Sequence, residues 1–136
     1  MANDKKLKIE IVTPQSIIFS EYANAISVPG SDRPFEVLYN HAPITSSLIG
    51  GAIKISLDDS KEIWYATGSG FIEVLDNVVS IVVESAMKST DLTQEMIDQE
   101  VQQAQSILAS ANTMQERNDA KRAIETAQAK ARLLKK

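Results

Sequence analysis

The stretch over residues 51–86 constrains the fold of this chain more than any other. It reads G-A-I-K-I-S-L, D-D-S, K-E-I-W-Y-A-T, G-S-G, F-I-E-V-L, D-N and V-V-S-I-V-V-E-S-A. Ile53, Ile55 and Leu57 alternate with small or polar neighbours, the period of a strand with one dry face. Asp58-Asp59-Ser60, Gly68-Ser69-Gly70 and Asp76-Asn77 break the runs at hairpin-like intervals. This spacing predicts four consecutive antiparallel strands. None of them can hide its apolar side alone, so a second layer is required.

The preceding residues supply that layer. Leu7, Ile9 and Ile11 alternate with Lys8, Glu10 and Val12 until Thr13-Pro14-Gln15 ends the run. Residues 16–21 and 23–28 are two more short strand segments. Pro29-Gly30-Ser31-Asp32 reads as a turn, because Gly30 tolerates positive φ and Asp32 can bond its own backbone. Residues 35–39 return to strand character, Asn40-His41-Ala42-Pro43 interrupts it, and residues 44–48 resume before Gly50-Gly51 turns the chain. Eight to ten short antiparallel strands, punctuated by Gly, Pro and Asp, predict a sandwich or flattened barrel ending near residue 86.

After Ser85 the pattern becomes helical. Ser89-Thr90-Asp91 offers an N-cap cluster, with Gln94 three residues after Asp91. Ile97, Val101, Ala104, Leu108 and Ala111 fall at steps of four and three, forming one helical stripe. Ser110-Ala111-Asn112 is a break. Thr113 with Glu116 opens a second helix, whose stripe is Ala120, Ile124, Ala127, Ala131 and Leu134. The division expected is a β domain over 1–88 and an antiparallel helical hairpin over 89–136. Its facing positions are largely alanine, so the helices form readily but bury little area on each other.

Charge in the hairpin is segregated. The first helix carries Asp91, Glu95, Asp98 and Glu100 and no basic residue before Leu108. From residue 113 onward, three acidic residues face seven basic ones: Arg117, Lys121, Arg122, Lys130, Arg132, Lys135 and Lys136. Two readings follow. The charges attract within the hairpin and suit the last helical turn, or the basic helix leaves its partner for an acidic surface elsewhere.

Chemistry is sparse. The chain of 136 residues has one histidine and no cysteine, which removes disulfides and thiolate sites. A net charge of −4 argues against wrapping nucleic acid. The basic start is interrupted by Lys8 and Glu10, so no signal-peptide core is expected. No run approaches the roughly 18 apolar residues of a membrane-spanning helix. His41 lacks partners for a triad or a metal site. Asp58, Asp59 and Glu62 fit a solvated hairpin tip, and Gly68-Ser69-Gly70 has no following Lys-Ser/Thr to make a phosphate loop. Trp64 and Tyr65 point to opposite faces of one strand. No active site, metal or cofactor is expected. The uncharged segment from Asn40 to Gly51, with Pro43, Ile44, Leu48 and Ile49, is the expected contact surface of the β domain.

The chain resembles the epsilon subunit of the rotary F-type ATP synthase, bacterial type, essentially from end to end. L-K-I-E-I-V-T-P ending at Pro14, then Phe19 and A-I-S-V-P-G ending at Gly30, are similar to the family's opening strands. V-L-Y-N-H-A-P ending at Pro43 is similar to V-L-P-x-H-A-P, with Tyr39 in place of the proline. Leu48 with Gly51, and Gly70-Phe71, Glu73-Val74, Asn77 and Val79, follow the family pattern, with Ser69 where a glycine is common. Arg33-Pro34-Phe35-Glu36 departs from it by two glycines.

The resemblance implies a non-catalytic central-stalk subunit on the cytoplasmic face of the inner (plasma) membrane, peripheral to it through the complex. It implies gamma, a ring of proton-carrying subunits and the catalytic head as partners, and no nucleic acid. Gly30, Ser31, Asp32, Tyr39, Asn40, His41, Ala42, Pro43 and Leu48 would meet the ring and gamma. Arg117, Lys121, Arg122, Lys130 and Arg132 would reach the catalytic subunits and restrain ATP hydrolysis. Several bacterial relatives bind ATP through I/L-D-x-x-R-A in the hairpin; here Ile97 and Asp98 remain, Val101 and Gln102 replace the arginine and alanine, and Arg122 and Arg132 are the other remnants. The alternative is a stand-alone adaptor with a β-sandwich for a partner and a helical dimerisation arm.

Overall fold

The structure, a computed structural model, describes residues 5–134. The first four residues of the start that runs to Lys6, and Lys135 and Lys136 of the basic helix, lie outside the described residues. Among the described residues, ten strands form two five-stranded sheets. In order they are β1 (Leu7–Val12), β2 (Ile17–Ala23), β3 (Ala25–Val28), β4 (Phe35–Leu38), β5 (Ile44–Leu48), β6 (Gly51–Ser56), β7 (Glu62–Thr67), β8 (Gly70–Leu75), β9 (Val78–Val83) and β10 (Ala86–Lys88). The first sheet runs β2-β1-β9-β8-β5 and the second β10-β7-β6-β3-β4.

Alternation decides which side chains meet between the sheets. Leu7, Ile9 and Ile11 of β1, Ile72 and Val74 of β8, and Val79, Ile81 and Val83 of β9 face Ile26, Val28, Val37, Ile53, Ile55 and Tyr65 of the second sheet in one buried cluster. Phe19 closes it, edge-on to Tyr65 with ring centroids 6.5 Å apart. Trp64 and Tyr65 do take opposite faces: Tyr65 belongs to this core and Trp64 to a second cluster outside it.

Three details differ from the sequence expectation. First, β1 pairs with β9 in parallel, Ile9 opposite Val79 and Ile11 opposite Ile81. Parallel partners need a long connection, and here almost the whole sandwich lies between them. Second, β7 and β8 are not a hairpin. The chain crosses from the second sheet to the first at Gly68-Ser69 and returns at Glu84-Ser85. The two corners bond to each other, Gly68 N–H to Ser85 O and Glu84 N–H to Ser69 O, both at 3.0 Å. Gly70 sits where a Cβ would overlap the Val82 carbonyl oxygen, so no larger residue fits that corner. Third, no glycine has positive φ; left-handed backbone falls on Asn40 (φ 65), Asp76 (φ 50) and Asn77 (φ 66), among others. Asp76-Asn77 is the two-residue turn of the β8–β9 hairpin, as the sequence suggests. Gly30 is instead required by crowding, since a Cβ would stand 2.5 Å from Arg33 O and 2.8 Å from the Phe35 ring.

A short 3₁₀ turn at Ser89–Asp91 precedes α1 (Gln94–Ala109), which is followed by α2 (Met114–Leu134). The cap of α1 is Thr93, whose hydroxyl accepts from Met96 N–H at 3.2 Å, and not Asp91. The 3₁₀ turn comes first because it buries Leu92 with Ala66 and Leu133. The start of α2 is as expected: Thr113 Oγ1 accepts from Glu116 N–H at 3.1 Å and donates to the Glu116 carboxylate at 3.0 Å. Ala104 on α1 and Ala120 and Ala127 on α2 are buried along the expected stripes. α2 also has a second dry stripe, Ala129 and Leu133, because it lies between α1 and the second sheet. Leu133 and Leu134 pack there with Ala66, Leu92, Ala52, Trp64 and Met87.

Candidate functional site

The hairpin packs on the outer face of the second sheet at β6 and β7. Among the described residues the outer face of the first is uncovered, and two of its rows are largely apolar. Strand register places Phe71 beside Val82, Val82 beside Val12, and Val12 beside Ile17, a row across four strands. A parallel row runs Leu75, Val78, Lys8 and Tyr22, with the Lys8 ammonium 5.2 Å from the Tyr22 ring centroid. Between them lies a polar row of Glu73, Ser80, Glu10 and Ser20. Ile17 is 64% exposed, Phe71 63%, Val82 52% and Leu75 50%. Large side chains this exposed on adjoining strands make a contiguous apolar patch of the kind that interaction surfaces carry. The sequence carries the signal: V-V-S-I-V-V is apolar at both strand parities, the pattern of a strand dry on both faces. Attention to the uncharged segment at 40–51 passes over it.

The middle of that segment, Ile44–Leu48, is the edge strand β5, and Leu48 is 2% exposed in the core. Gly30 is buried as well and bridged to Leu48, so neither is exposed on the surface of the chain. Ser31 is exposed, its N–H bonded to Ser47 O and its hydroxyl accepting from Ser47 Oγ at 2.7 Å. Asp32 is exposed beside it. Tyr39, Asn40, Ala42 and Pro43 are exposed too, and His41 is half-buried with Nδ1 donating to Ala42 O at 2.8 Å. The two groups do not meet. They flank β4, which holds them roughly 13 Å apart along its length. Asn40 is tied to the β8–β9 turn by its N–H to Asn77 Oδ1 at 2.6 Å, and Asn77 Nδ2 donates back at 3.1 Å. The Tyr39–Pro43 group therefore lies beside the Leu75 and Val78 end of the apolar face.

The basic residues of α2 divide. At 3.6 residues per turn, Arg117, Lys121 and Arg132 share a sector of about 60°. All three are exposed. Arg122 turns toward the sandwich and is paired with Asp119. Lys130 is drawn inward, its ammonium 2.7 and 2.9 Å from the two oxygens of Glu100.

The nucleotide remnants do not assemble. Ile97 is buried, and Asp98 accepts from Gln94 Nε2 at 2.8 Å on the exposed side of α1. Arg122 lines a cleft of about 570 Å³ between hairpin and sandwich, but Asp98 and Arg132 do not. Glu84, Glu100, Asp119 and Glu125 line it too. A triphosphate would meet four carboxylates and one arginine already engaged, so these residues do not fit ATP. Among the described residues no group of His, Asp and Glu is placed to hold a metal ion. No helix of the described residues is long and apolar enough to cross a membrane.

Comparison with known proteins agrees with this architecture. Residues 6–89 match the model of the ATP synthase delta/epsilon chain, beta-sandwich domain. An ATP synthase epsilon chain of Rickettsia bellii is 36% identical over 94 residues, covering 68% of this chain and 87% of that one. One of Nitratiruptor sp. is 33% identical over 106 residues, covering 78% and 82%. In fold, the chain is similar to a chain of the Euglena gracilis mitochondrial ATP synthase (OSCP/F1/c-ring, rotational state 1), with a TM-score of 0.81 at 19% identity over 96% of this chain and 82% of that one. A chain of the Tetrahymena thermophila mitochondrial ATP synthase central stalk and c-ring gives 0.66 at 14% identity, covering 95% and 96%. With its sandwich matched over 6–89 and its uncovered apolar sheet face, the chain belongs to the delta/epsilon family of ATP synthase subunits.

Proposed function

We propose that this chain is the non-catalytic central-stalk subunit of a rotary ATP synthase, seated on the gamma subunit through the outer face of the β2-β1-β9-β8-β5 sheet. The observation that carries this is the pair of apolar rows led by Phe71, Val82 and Ile17, on the side away from the hairpin. Burying such rows supplies association energy at about 25 cal/mol per Å², and the polar row with Glu73 and Glu10 fixes register. The Tyr39–Pro43 group extends this seat. Ser31 and Asp32, at the other end of β4, are assigned to the ring of proton-carrying subunits. The subunit then lies peripheral to the membrane, on the cytoplasmic face, and passes torque between ring and head without chemistry of its own. Arg117, Lys121 and Arg132 form the α2 face available to acidic ends of the catalytic subunits, and through them the hairpin restrains ATP hydrolysis.

Phe71→Glu and Val82→Lys each place a charge in the seat without touching the core. Each is expected to abolish stoichiometric co-purification with gamma and to lower proton-driven ATP synthesis by reconstituted complexes at least tenfold. Retained gamma binding by both would overturn the assignment. A wild-type chain that is a homodimer, made monomeric by these substitutions and indifferent to gamma, would favour the adaptor reading.

A further inference from the structure

The two helices of the hairpin need something besides apolar burial to stay together. Their contact is built on Ala104, Ala120 and Ala127, side chains that bury little area. The cleft on their sandwich side is lined by four carboxylates and by Arg122, which is already paired with Asp119, a poor setting for the nucleotide that several bacterial relatives bind in their hairpins. Among the described residues, one ion pair joins the helices: Lys130 to Glu100, 30 residues apart in sequence. Its setting differs from that of the other ion pairs. The Lys130 side chain is 11% exposed and bonds both oxygens of Glu100, while the Arg122–Asp119 pair lies within α2 with both side chains more than half exposed.

We propose that the folded hairpin of this chain is closed by the Lys130–Glu100 clasp in place of a bound nucleotide. Lys130 stands between the two dry stripes of α2, at the wedge where α1, α2 and the sandwich converge. One turn further on, Leu133 and Leu134 seat the helix on Ala66, Leu92 and Met87. In the other direction the cleft opens toward the hairpin tip. Withdrawing α2 from α1 leaves a poorly hydrated ammonium and a carboxylate to be resolvated, and a short bidentate pair makes that an all-or-none step. Closure therefore responds to anything that competes for Lys130, in particular carboxylates of another subunit, and not to ATP. This deepens the proposed brake, and rests on it only for what the opened helix then touches.

The test uses the isolated full-length chain, spin-labelled at Gln99→Cys on α1 and Gln128→Cys on α2, both exposed. No native cysteine interferes. Pulsed dipolar spectroscopy should give one short distance, unchanged by millimolar MgATP. Glu100→Gln and Lys130→Met should each raise the separated population about tenfold. The charge swap, Glu100→Lys with Lys130→Glu, should restore the short distance, which separates a lost clasp from a lost fold. Unchanged distances in both single variants would overturn the proposal, as would MgATP closing either variant. The readout needs no assembled enzyme, so a failed brake leaves it standing.

Discussion

Tyr65 is the residue at which core packing and titration meet. Its ring is edge-on to Phe19 and its side chain is part of the inter-sheet core. Burial raises its pKa above the ordinary 10.0, and the carboxylates of Glu21 and Asp91 push the same way. The folded state thus holds the proton to a higher pH than the unfolded chain does. Stability is complete below the unfolded value and falls as pH rises through the folded one. Tyr65→Phe removes this dependence. Urea midpoints measured at about pH 9 and about pH 11 should fall less for the variant than for the parent; equal losses would mean the hydroxyl is not held neutral by burial. At the same scale, the sequence shows that Gly30 and Gly70 are needed but not why. Both look like turn glycines, and the φ values show they are not. What they avoid is a crowding atom: for Gly30 the Arg33 carbonyl and the Phe35 ring a few residues on, and for Gly70 the Val82 carbonyl of the neighbouring strand.

Elements are more legible than the pairs they make. Strand ends follow Gly, Asp and Asn punctuation closely, and the Thr113–Glu116 start of α2 is visible because its chemistry is local. Thr93 is harder to see, since Asp91 offers equally good cap chemistry and only the burial of Leu92 decides between them. The second stripe of α2 is hidden for a related reason: alanine fits both a dry face and a wet one, and Ala129 reveals its side only through Leu133. That stripe gives a prediction. Leu133→Ala removes a buried contact between hairpin and sheet, at a cost of about 2–4 kcal/mol for a buried leucine. Because the inter-sheet core is untouched, the loss should fall on the hairpin. Hydrogen exchange should quicken throughout α2 while the core strands β1 and β9 stay protected. Uniform acceleration across both would show that hairpin and sandwich unfold as one unit.

For the whole molecule, the sequence implies two layers but not which strand joins which sheet. Gly68-Ser69-Gly70 reads alike as a hairpin or a corner, and the parallel β1–β9 pair joins residues about seventy apart that no local pattern relates. The functional surface is legible in retrospect, from apolar residues at both parities of β8 and β9. Sheet topology then divides the molecule into a side that carries its own hairpin and a side left uncovered, the proposed gamma seat. The most direct test is cysteine accessibility at Val82, in a chain that has no other cysteine. Thiol labelling of Val82→Cys should be fast in the free subunit and slowed at least tenfold in the complex with gamma, while Arg117→Cys on the exposed face of α2 labels equally in both. Labelling of Val82→Cys at the same rate with and without bound gamma would contradict the account.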